Sequence, residues 1–525
     1  MKTEKEKTEI LEITSQSVSE SEPKLWRLFE KLMSKGINER ILIRVGTSGF
    51  RGRNDERLTR NIAAYSLALG ECLGPNKKVI IGYDERPRSR RNALLCTIIL
   101  EHSGLSTEIA KESITISCLA KTVLESNRKS GAEKFYGVMC GASHNPLTDN
   151  GMNFIIPDGS IAEEDFTNAL VERVLGLEPR LRAKPIERKG KIKIIDPTEA
   201  YVNSIVSFVG EINRKDIIVV VDPLNGAGKK ALPNLVKALG VDCHTVHRMG
   251  FEGMRDLDPR TNTEPIKAEI EKKNADLGVL IDGDGDRAMF VYLKASGKKR
   301  IVEADYNESF AAILDYLLTY MPVHAVSTNV ASSSVFRDIC QTHGITIFDK
   351  NPVGFKHQSK DMRRHPNQVV VGIEGNSGGF TVSSFSREKD GCLAAALAIK
   401  MIAETAKFAD NISQLGDKYG KRYIKEISIK SPTLTTREKR RAVIDSLKQE
   451  FKVGSVFYGK EIAELITVDG VKLVFASGSS LLFRASGTEP KFRVISETKD
   501  KREFKMLPEA GREIIEEYSR RIYVL

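Results

Sequence analysis

The hydrophobic positions of the chain form short apolar runs that alternate with stretches of helical spacing. The runs are mostly rich in Val and Ile and show no in–out alternation, as is typical of buried parallel strands. They lie at 78–81, 217–221, 277–281, 325–327 and 369–373. Helical spacing occurs at 61–73, 91–102, 229–239 and 392–406. This alternation predicts α/β layers.

The two ends of the chain have a different pattern. Residues 1–22 are polar and charged, which predicts a flexible leader. Apolar residues then recur at helical spacing from Leu25 to Met33, which predicts an amphipathic helix packed on the body. After about Tyr423 short strands, at 471–475, 481–483 and 492–496, precede a closing helix at 508–520 with proline in its first turn. This pattern of short strands followed by a helix predicts a smaller α+β domain at the C-terminal end.

Size and composition narrow the class of protein. A chain of 525 residues is too long for one core, so we expect three or four domains. No apolar run reaches the roughly 18 residues that span a bilayer, and the N-terminus lacks a signal-peptide core. The seven cysteines show no CxxC spacing, which is typical of reduced thiols in a cytoplasmic protein. These features predict a cytoplasmic protein with no membrane partner.

The net charge of +11 raises the question of a nucleic-acid partner. The basic residues are scattered among nearly as many acidic ones, and the denser clusters at 86–91 and 437–441 are short. We therefore expect no nucleic-acid partner, and a basic surface also suits a small anionic substrate.

The segment Asp-Gly-Asp-Gly-Asp-Arg, which begins at Asp282, follows an apolar run. Its three carboxylates repel one another unless something positive lies among them, and a hard divalent cation with oxygen ligands fits. A helix-loop-helix calcium loop is excluded because its sixth and twelfth places hold Arg287 and Leu293 instead of Gly and Glu. A plain polar turn after a strand stays open.

A second polar segment, Gly-Ala-Ser-His-Asn-Pro, begins at Gly141. Ser143 lies between small residues and His-Asn-Pro, so a tight loop can expose its hydroxyl as a nucleophile or phosphate carrier. The hydrolase elbow GxSxG is absent because Asn145 takes the place of the final glycine. A Ser-Asn-Pro turn without chemistry is the alternative.

Three glycine-containing segments offer groups to an anion or a sugar. Residues 46–52 combine backbone N–H groups with one arginine. Residues 484–488, with Arg493, offer guanidinium and hydroxyl donors that suit a phosphate monoester. Residues 374–379 offer a carboxylate and an amide to vicinal hydroxyls. Each could also be a polar turn, and a Walker loop is excluded because Pro223 stands where it needs glycine.

The polar motifs follow the apolar runs directly. Asp84, Asp222, the acidic triplet and Glu374 each come after a predicted strand. In doubly wound sheets ligands bind at the carboxyl ends of the strands, so this placement favours a binding role.

Taken together, these segments resemble the α-D-phosphohexomutase family, which includes phosphoglucomutases, phosphomannomutases and phosphoglucosamine mutases. Its four signatures occur in family order: the phosphoserine loop at 142–146, the metal loop at 282–287, the sugar loop at 374–378 and the phosphate loop at 484–488. The resemblance runs from about Ile41 to the C-terminus. It implies three related α/β domains and a smaller C-terminal α+β domain around a central cleft.

The implied organisation has five parts. They are a leader with an amphipathic helix at 1–40, domain I with the phosphoserine loop at 41–197, domain II with the metal-binding loop at 198–300, domain III with the sugar-binding loop at 301–422, and domain IV with the phosphate-binding loop at 423–525.

The resemblance also implies an isomerase of hexose phosphates. It would move a phosphoryl group between the 1- and 6-positions through a phosphoserine and a 1,6-bisphosphate, with Mg²⁺ as cofactor and glucose 1,6-bisphosphate as activator. The implied catalytic residues are Ser143, His144, Arg51 and Arg287, and the implied metal ligands are Ser143, Asp282, Asp284 and Asp286. The implied substrate-binding residues are Lys356, Glu374, Asn376, Ser377, Arg484, Ser486, Gly487, Thr488 and Arg493. No oligomeric state is implied.

The chain departs from the family pattern at two places. The family usually has a lysine ten residues after the phosphoserine, where this chain has Asn153, and an amide cannot serve in acid–base transfer. Asn376 holds the usual serine place of the sugar loop when Glu374 is aligned. Residues 352–356, Pro-Val-Gly-Phe-Lys, resemble glucose-type enzymes and favour glucose or mannose phosphate. The alternatives are a phosphoglucosamine mutase, a hexose 1,6-bisphosphate synthase, or an impaired relative that binds sugar phosphates as a sensor or scaffold.

Overall fold

The computed structural model describes residues 13–34, 42–43, 45–46, 49–74, 77–131, 134–177, 191–253, 256–294, 300–430, 434–485 and 491–523. The chain forms two compact units. The first unit is Met1–Asp305 with Gly378–Ala409, and the second unit is Tyr306–Ser377 with Asp410–Leu525.

The first unit begins with a mixed sheet flanked by helices. Its strands are β1 (Phe50–Arg53), β2 (Lys77–Tyr83), β3 (Ser106–Ala110), β4 (Lys134–Cys140), β5 (Asp149–Ile155) and β6 (Ile192–Ile195), in the order β1-β5-β4-β2-β3-β6. Strands β4, β2, β3 and β6 are parallel, whereas β5 is antiparallel to both β4 and β1. The helices are α1 (Ser15–Met33), α2 (Glu56–Leu73), α3 (Ser89–His102), α4 (Ile116–Lys129) and α5 (Glu164–Leu175).

A second sheet of the first unit holds the acidic triplet. Its strands are β7 (Ile218–Asp222), β8 (Asp242–Thr245), β9 (Leu277–Ile281), β10 (Ala288–Lys294) and β11 (Arg300–Glu303), in the order β11-β10-β9-β7-β8. Strands β9, β7 and β8 are parallel, and β10 is antiparallel to both β9 and β11. The helices are α6 (Thr198–Val209), α7 (Ala231–Ala238) and α8 (Glu264–Lys273).

The second unit begins with a parallel sheet in the order β13-β12-β14. Its elements are α9 (Tyr306–Leu317), β12 (Ala325–Asn329), α10 (Val335–His343), β13 (Thr346–Asn351), α11 (Lys356–Arg364) and β14 (Val370–Glu374). The chain then returns to the first unit through β15 (Gly379–Val382) and α12 (Gly391–Glu404), and continues through α13 (Phe408–Tyr419).

The C-terminal part of the second unit is an antiparallel sheet with two helices. The sheet has the order β16-β21-β20-β19-β18-β17. Its elements are β16 (Tyr423–Lys430), α14 (Arg437–Glu450), β17 (Val456–Phe457), β18 (Lys460–Ile466), β19 (Val471–Phe475), β20 (Ser480–Ala485), β21 (Lys491–Thr498) and α15 (Glu503–Tyr523). One apolar core joins this sheet to α14 and α15, and Phe475, Phe483 and Phe492 are fully buried in it.

The predicted fold class is confirmed. All five apolar runs are strands, and β9, β12 and β14 are buried at every residue, which explains their lack of alternation. The C-terminal part is the smaller α+β domain that its short strands predicted. No helix in the described residues has the length and apolar character that crossing a bilayer requires. The predicted domain limits stay a prediction.

The prediction of a flexible leader up to residue 22 is wrong for its last part, because α1 begins at Ser15. Thr14 and Ser17 form a capping box, which satisfies two backbone N–H groups at the helix start. Val18 and Phe29 are buried, and the Trp26 ring stacks on His102 of α3 with ring centres 4.0 Å apart. The predicted packing of an amphipathic helix on the body is therefore confirmed.

The closing helix begins five residues earlier than predicted. It starts at Glu503, so Pro508 lies inside α15 instead of in its first turn. The Glu503 carboxylate accepts hydrogen bonds from Ser479 and Thr498, and Leu507 is fully buried. These tertiary contacts stabilise a helical turn that the proline rule excludes.

Candidate functional site

Ser143 lies on the tight loop between β4 and β5. It has a positive φ of 51°, which is unusual for a residue with a side chain and marks a constrained backbone. The Asn145 N–H donates to the Ala142 carbonyl at 3.0 Å, which closes the turn around it. Ser143 is only 1% exposed. The loop therefore holds one hydroxyl in a fixed, buried place.

The Ser143 hydroxyl contacts the acidic triplet. Ser143 Oγ donates to Asp282 Oδ2 at 2.9 Å, although the two residues are 139 positions apart in the chain. The Nδ1 atom of His144 lies 3.2 Å from the same hydroxyl. The structure thus brings together the two segments on which the sequence interpretation depended.

The acidic triplet forms a compact cluster between β9 and β10. One oxygen from each of Asp282, Asp284 and Asp286 lies within 4.8 Å of the others, and all three residues are buried. Gly285 has a φ of +75°, and a Cβ there would lie 2.4 Å from a methyl carbon of Thr115. Only glycine fits this turn, so the alternating Asp-Gly pattern has a steric cause.

The oxygen atoms of the cluster suit a small hard cation. Asp282 Oδ1 accepts the N–H groups of Asp286 and Arg287, which turns its Oδ2 towards Ser143. The Oδ1 atoms of Asp284 and Asp286 are buried and have no hydrogen-bond partner in the described residues. Buried acceptors without donors are costly, and oxygen ligands are those that Mg²⁺ prefers. The residues present therefore fit a magnesium ion.

Burial and neighbouring charges act differently on the three carboxylates. Burial raises the pKa of Asp284 well above its usual value, and repulsion from Asp286 and Asp282 raises it further. Burial and Asp286 also raise the pKa of Asp282. Burial opposes ionisation of Asp286 too, but Lys389 and Arg287 hold its pKa below the usual value.

Three cations surround the cluster. Lys389 Nζ lies 2.9 Å from Asp286 Oδ2, and Arg287 Nε lies 3.6 Å from Asp282 Oδ2. Arg51 donates from Nη1 to Asn145 Oδ1 at 3.1 Å, and its pKa is lowered by burial, with attraction to Asp284 acting in the opposite sense. These groups place positive charge beside the three carboxylates.

His144 and Asn153 complete the description of this site. The nearby Arg287 charge, with burial, lowers the pKa of His144, so the ring is neutral at pH 7. Asn153 is buried on β5, opposite Met139, and its Oδ1 has no hydrogen-bond partner in the described residues. No lysine stands at that position, and the ammonium nearest to the triplet among the described contacts is that of Lys389.

The predicted sugar loop lies in the second unit, where Glu374 ends β14. Glu374 Oε1 accepts the Gly354 N–H at 2.9 Å, and Oε2 accepts the Ser377 hydroxyl at 2.8 Å. Asn376 Oδ1 accepts from Asn329 Nδ2 at 3.1 Å. The Glu374 carboxylate thus connects the loop that follows β14 to residues 352–356 by hydrogen bonds, and Lys356 at the end of that segment begins α11.

The two predicted phosphate-binding arginines are neighbours in the second unit. Arg484 on β20 lies directly opposite Arg493 on β21. Arg484 Nε donates to Asp469 Oδ2 at 2.7 Å, and Arg493 Nη1 donates to Glu426 Oε1 at 2.9 Å. Each guanidinium is thus held by one carboxylate, and the two arginines occupy facing positions of one hairpin. Ser486, Gly487 and Thr488, predicted with them, lie outside the described residues.

Two charged residues that no sequence motif indicated lie at these places. Lys389 precedes Asp390, whose side chain caps α12 by accepting the Leu393 N–H. Asp469 Oδ2 accepts hydrogen bonds from Arg484 Nε and from the Val353 N–H, so it joins Arg484 to residues 352–356. A charged run before a helix and an Asp-Gly turn were the available signals, and neither indicates a long-range partner.

Comparison with family models matches most of the chain. Residues 43–180, 199–295 and 305–419 match the models described as phosphoglucomutase/phosphomannomutase alpha/beta/alpha domains I, II and III.

Individual relatives are distant but match over nearly their full length. The chain is 26% identical to a phosphoglucosamine/phosphogalactosamine mutase of Sulfurisphaera tokodaii, over 87% of this chain and 95% of the relative. It is 28% identical to a phosphoglucomutase/phosphomannomutase of Thermococcus kodakarensis, over 90% and 98%. A crystal structure of a putative phosphomannomutase from Thermus thermophilus superposes with a TM-score of 0.74 at 21% identity, over 90% and 99%.

Proposed function

The chain belongs to the phosphoglucomutase/phosphomannomutase family, the α-D-phosphohexomutases, and on that premise we propose that it interconverts hexose 1-phosphate and hexose 6-phosphate. The observation that carries this proposal is the 2.9 Å contact between the Ser143 hydroxyl and Asp282 in the buried triplet. A hydroxyl, three carboxylates and three cations in one place suit phosphoryl transfer better than any other chemistry.

Ser143 is the phosphate carrier in this proposal. The bond between its Oγ and phosphorus breaks as a bond forms from phosphorus to a substrate hydroxyl oxygen. The proton of that hydroxyl passes, in the net balance, to Ser143 Oγ, and the products are a free serine hydroxyl and a hexose 1,6-bisphosphate. The reverse transfer, from the other position, returns phosphate to Ser143. Arg51 and Arg287 offset the negative charge of the transferring group, while His144, neutral and 3.2 Å from Oγ, helps to orient the free hydroxyl.

The triplet is the proposed place of Mg²⁺, with Asp282, Asp284, Asp286 and a phosphate oxygen on Ser143 as ligands. When bound, the ion supplies charge stabilisation for the phosphoryl group. Without it, a phosphoserine of about −1.5 to −2 charges would stand beside three carboxylates, so metal binding and phosphorylation are expected to depend on each other.

Substrate binding is assigned to the second unit by the family resemblance. Lys356, Glu374, Asn376 and Ser377 are the proposed contacts of the sugar. The second set, Arg484, Ser486, Gly487, Thr488 and Arg493, is the proposed site of the phosphate that is not transferred, supported by the two opposed arginines. Glucose 1,6-bisphosphate is the proposed activator, since it can phosphorylate Ser143.

The orientation of Asn376 supports glucose or mannose phosphate as substrate. Asn329 Oδ1 accepts the Ala331 N–H at 2.9 Å, so its Nδ2 must face Asn376. Asn376 therefore directs its carbonyl oxygen to Asn329 and keeps its N–H donors for a ligand. Such donors need an acceptor, which a hydroxyl oxygen provides and the ammonium group of a hexosamine does not.

The test uses purified protein with Mg²⁺, a trace of glucose 1,6-bisphosphate, and glucose, mannose or glucosamine 1-phosphate. We expect turnover of glucose or mannose phosphate, one phosphate on the protein by intact mass, and loss of both in Ser143→Ala. No turnover of any sugar by a protein phosphorylated at Ser143 would refute the proposal. In Asn376→Ser we expect relative activity towards glucosamine phosphate to rise, and an unchanged ratio would refute the specificity argument.

A second candidate is a relative that binds hexose phosphates as a sensor or scaffold, and Asn153 is the observation that favours it. Binding without isomerisation would support this candidate, particularly if Asn153→Lys restored turnover. Accumulation of the 1,6-bisphosphate would instead indicate a bisphosphate synthase. We place the protein in the cytoplasm on its composition alone.

A further inference from the structure

Arg86 is a buried arginine that the phosphoserine loop surrounds. It follows β2 in the chain, and its side chain is 0% exposed. Among the contacts of the described residues, its hydrogen bonds go to neither the acidic triplet nor the Ser143 hydroxyl, and nothing in the sequence motifs singles it out. A fully buried guanidinium is costly unless its donors are satisfied, so its partners reveal its role.

The partners of Arg86 are the backbone carbonyls of one loop. Its Nη2 donates to the carbonyl oxygens of Ser143 and Asn145, both at 2.5 Å. Its Nη1 donates to the carbonyls of Pro146 at 2.7 Å and Asp149 at 3.3 Å. The planar fork of guanidinium can bind several acceptors at once in a fixed geometry, which lysine cannot do.

Asp84 holds this guanidinium in place. Its Oδ2 lies 3.3 Å from Arg86 Nε and also accepts the Ala142 N–H at 3.2 Å, one residue before Ser143. Ser89 donates to Asp84 Oδ1 at 2.5 Å. A Cβ on Gly141 would lie 2.4 Å from Asp84 Oδ2, so the backbone approaches this carboxylate as closely as only glycine allows.

The backbone at Ser143 needs such support. Its φ of 51° lies in a region that costs of order 1–3 kcal/mol for a residue with a side chain, and it persists only where the surroundings impose it. Arg86 Nη2 donates to the Ser143 carbonyl and, at 3.5 Å, to the Ala142 carbonyl, and these two oxygens belong to the two peptide groups that flank Ser143. Asp84 holds the preceding peptide group through the Ala142 N–H.

We propose that Arg86, oriented by Asp84, is the positioning residue that directs the Ser143 hydroxyl towards Asp282. It binds the loop through backbone atoms only, so the same contacts are available whether Ser143 is free or phosphorylated. The loop can therefore pass through both states of the reaction without changing shape. This inference rests on the proposed function, because it concerns how the phosphate carrier is held.

The experiment compares Arg86→Lys and Arg86→Met with wild type, using the full chain, Mg²⁺ and the substrate that wild type turns over. We expect kcat to fall by about 100-fold in Arg86→Lys, the cost of a displacement of about 1 Å at a reacting group. KM should change little, since the substrate-binding residues are untouched. Phosphorylation of Ser143 by glucose 1,6-bisphosphate, followed by intact mass, should slow by a similar factor, and Arg86→Met should be slower than Arg86→Lys.

The matched control is Arg60→Lys, another buried arginine of the first unit, which pairs with Glu56 on its own helix. It should lower the melting temperature and leave kcat unchanged. If an Arg86 variant does not fold, Asp84→Asn tests the same point, because it keeps the shape of the side chain and removes the charge that orients Arg86. We expect a smaller fall in kcat there.

Two outcomes are distinguishable. Absence of turnover in wild type would refute the proposed function itself. The second outcome is that wild type turns over its substrate and that Arg86→Lys and Asp84→Asn match wild type in turnover per folded molecule and in the rate of phosphorylation. This outcome would refute the inference and leave Arg86 a purely structural residue.

Discussion

The two units hold their candidate functional carboxylates in different hydrogen-bonding states. In the first unit Asp284 and Asp286 each bury an oxygen that no hydrogen bond satisfies in the described residues. In the second unit both oxygens of Glu374 are occupied, one by the Gly354 N–H and one by the Ser377 hydroxyl. The first arrangement leaves buried acceptors that suit a cation, whereas both oxygens of the second already accept hydrogen bonds within the protein.

A buried carboxylate can suit a bound ion or can fix the shape of a loop, and the two units differ in this respect. Burial and mutual repulsion raise the pKa of Asp284, so a bound ion would stabilise the ionised triplet. Glu374 instead fixes the shape of a loop, as Asp469 does for Arg484. Neutralising Asp284 should therefore stabilise the metal-free first unit, whereas neutralising Glu374 should destabilise the second unit.

The largest expected effect is that of Asp284→Asn. Turnover should fall by about a hundred- to a thousandfold, the cost of losing one charge-stabilising group. The melting temperature without metal should nevertheless rise, because one repelling charge is gone. Steady-state kinetics measure the fall in turnover, and calorimetric melts in EDTA and in Mg²⁺ measure the change in melting temperature. Asp276→Asn is the control, because Asp276 lies outside the triplet and its Oδ2 already has a hydrogen-bond donor in the Ile218 N–H. A lower melting temperature for Asp284→Asn in EDTA would contradict the interpretation.

Glu374→Gln should have the opposite signature. The amide keeps one acceptor but turns N–H donors towards a group that itself donates, which costs about 1–3 kcal/mol for a buried group left unsatisfied. The free energy of unfolding should fall with or without Mg²⁺, and KM should rise roughly tenfold. Denaturant melts and steady-state kinetics measure these changes, and a Mg²⁺-dependent loss of stability would not fit.

A smaller effect is expected from Asp469→Asn. Arg484 and the Val353 N–H both donate to one oxygen of Asp469, so the change loosens the arginine without removing it. KM should rise by about two- to tenfold, as expected for ~0.5–1.5 kcal/mol of one hydrogen bond, with kcat unchanged. Asp500→Asn, which affects an exposed pair with Arg502, should leave KM as it is. A fall in kcat alone would argue against this role.

The smallest effect concerns Glu388, which burial keeps protonated with its pKa raised to about 8. Because this pKa lies above the unfolded value of about 4.3, the folded state binds more protons between the two. The free energy of unfolding should then decrease as pH rises through that window. Glu388→Gln should become more stable relative to wild type from pH 6 to pH 9. The exposed control Glu461→Gln should show no such trend in pH-dependent melts.

Much of the fold was predictable from the apolar runs, because a fully buried strand must be apolar at every position. The run at 277–281 coincides with β9, and 471–475 coincides with β19. The starts of α1 and α15 were not predicted. A capping box inside a polar segment starts α1, and the Glu503 carboxylate at the start of α15 accepts a hydrogen bond from Ser479. The capping box is a local signal, whereas the contact of Glu503 with Ser479 depends on a residue 24 positions away.

The candidate site divides in the same way. The sequence by itself determined which residue types could do the chemistry: a hydroxyl on a tight loop, three carboxylates spaced by glycine, and arginines beside a turn. Only the tertiary structure decided that Ser143 contacts Asp282, that Lys389 lies at Asp286, and that Arg86 is enclosed by the serine loop. The physical reason is that the order of residues sets local conformation and burial, whereas the pairing of charges follows from how distant strands meet.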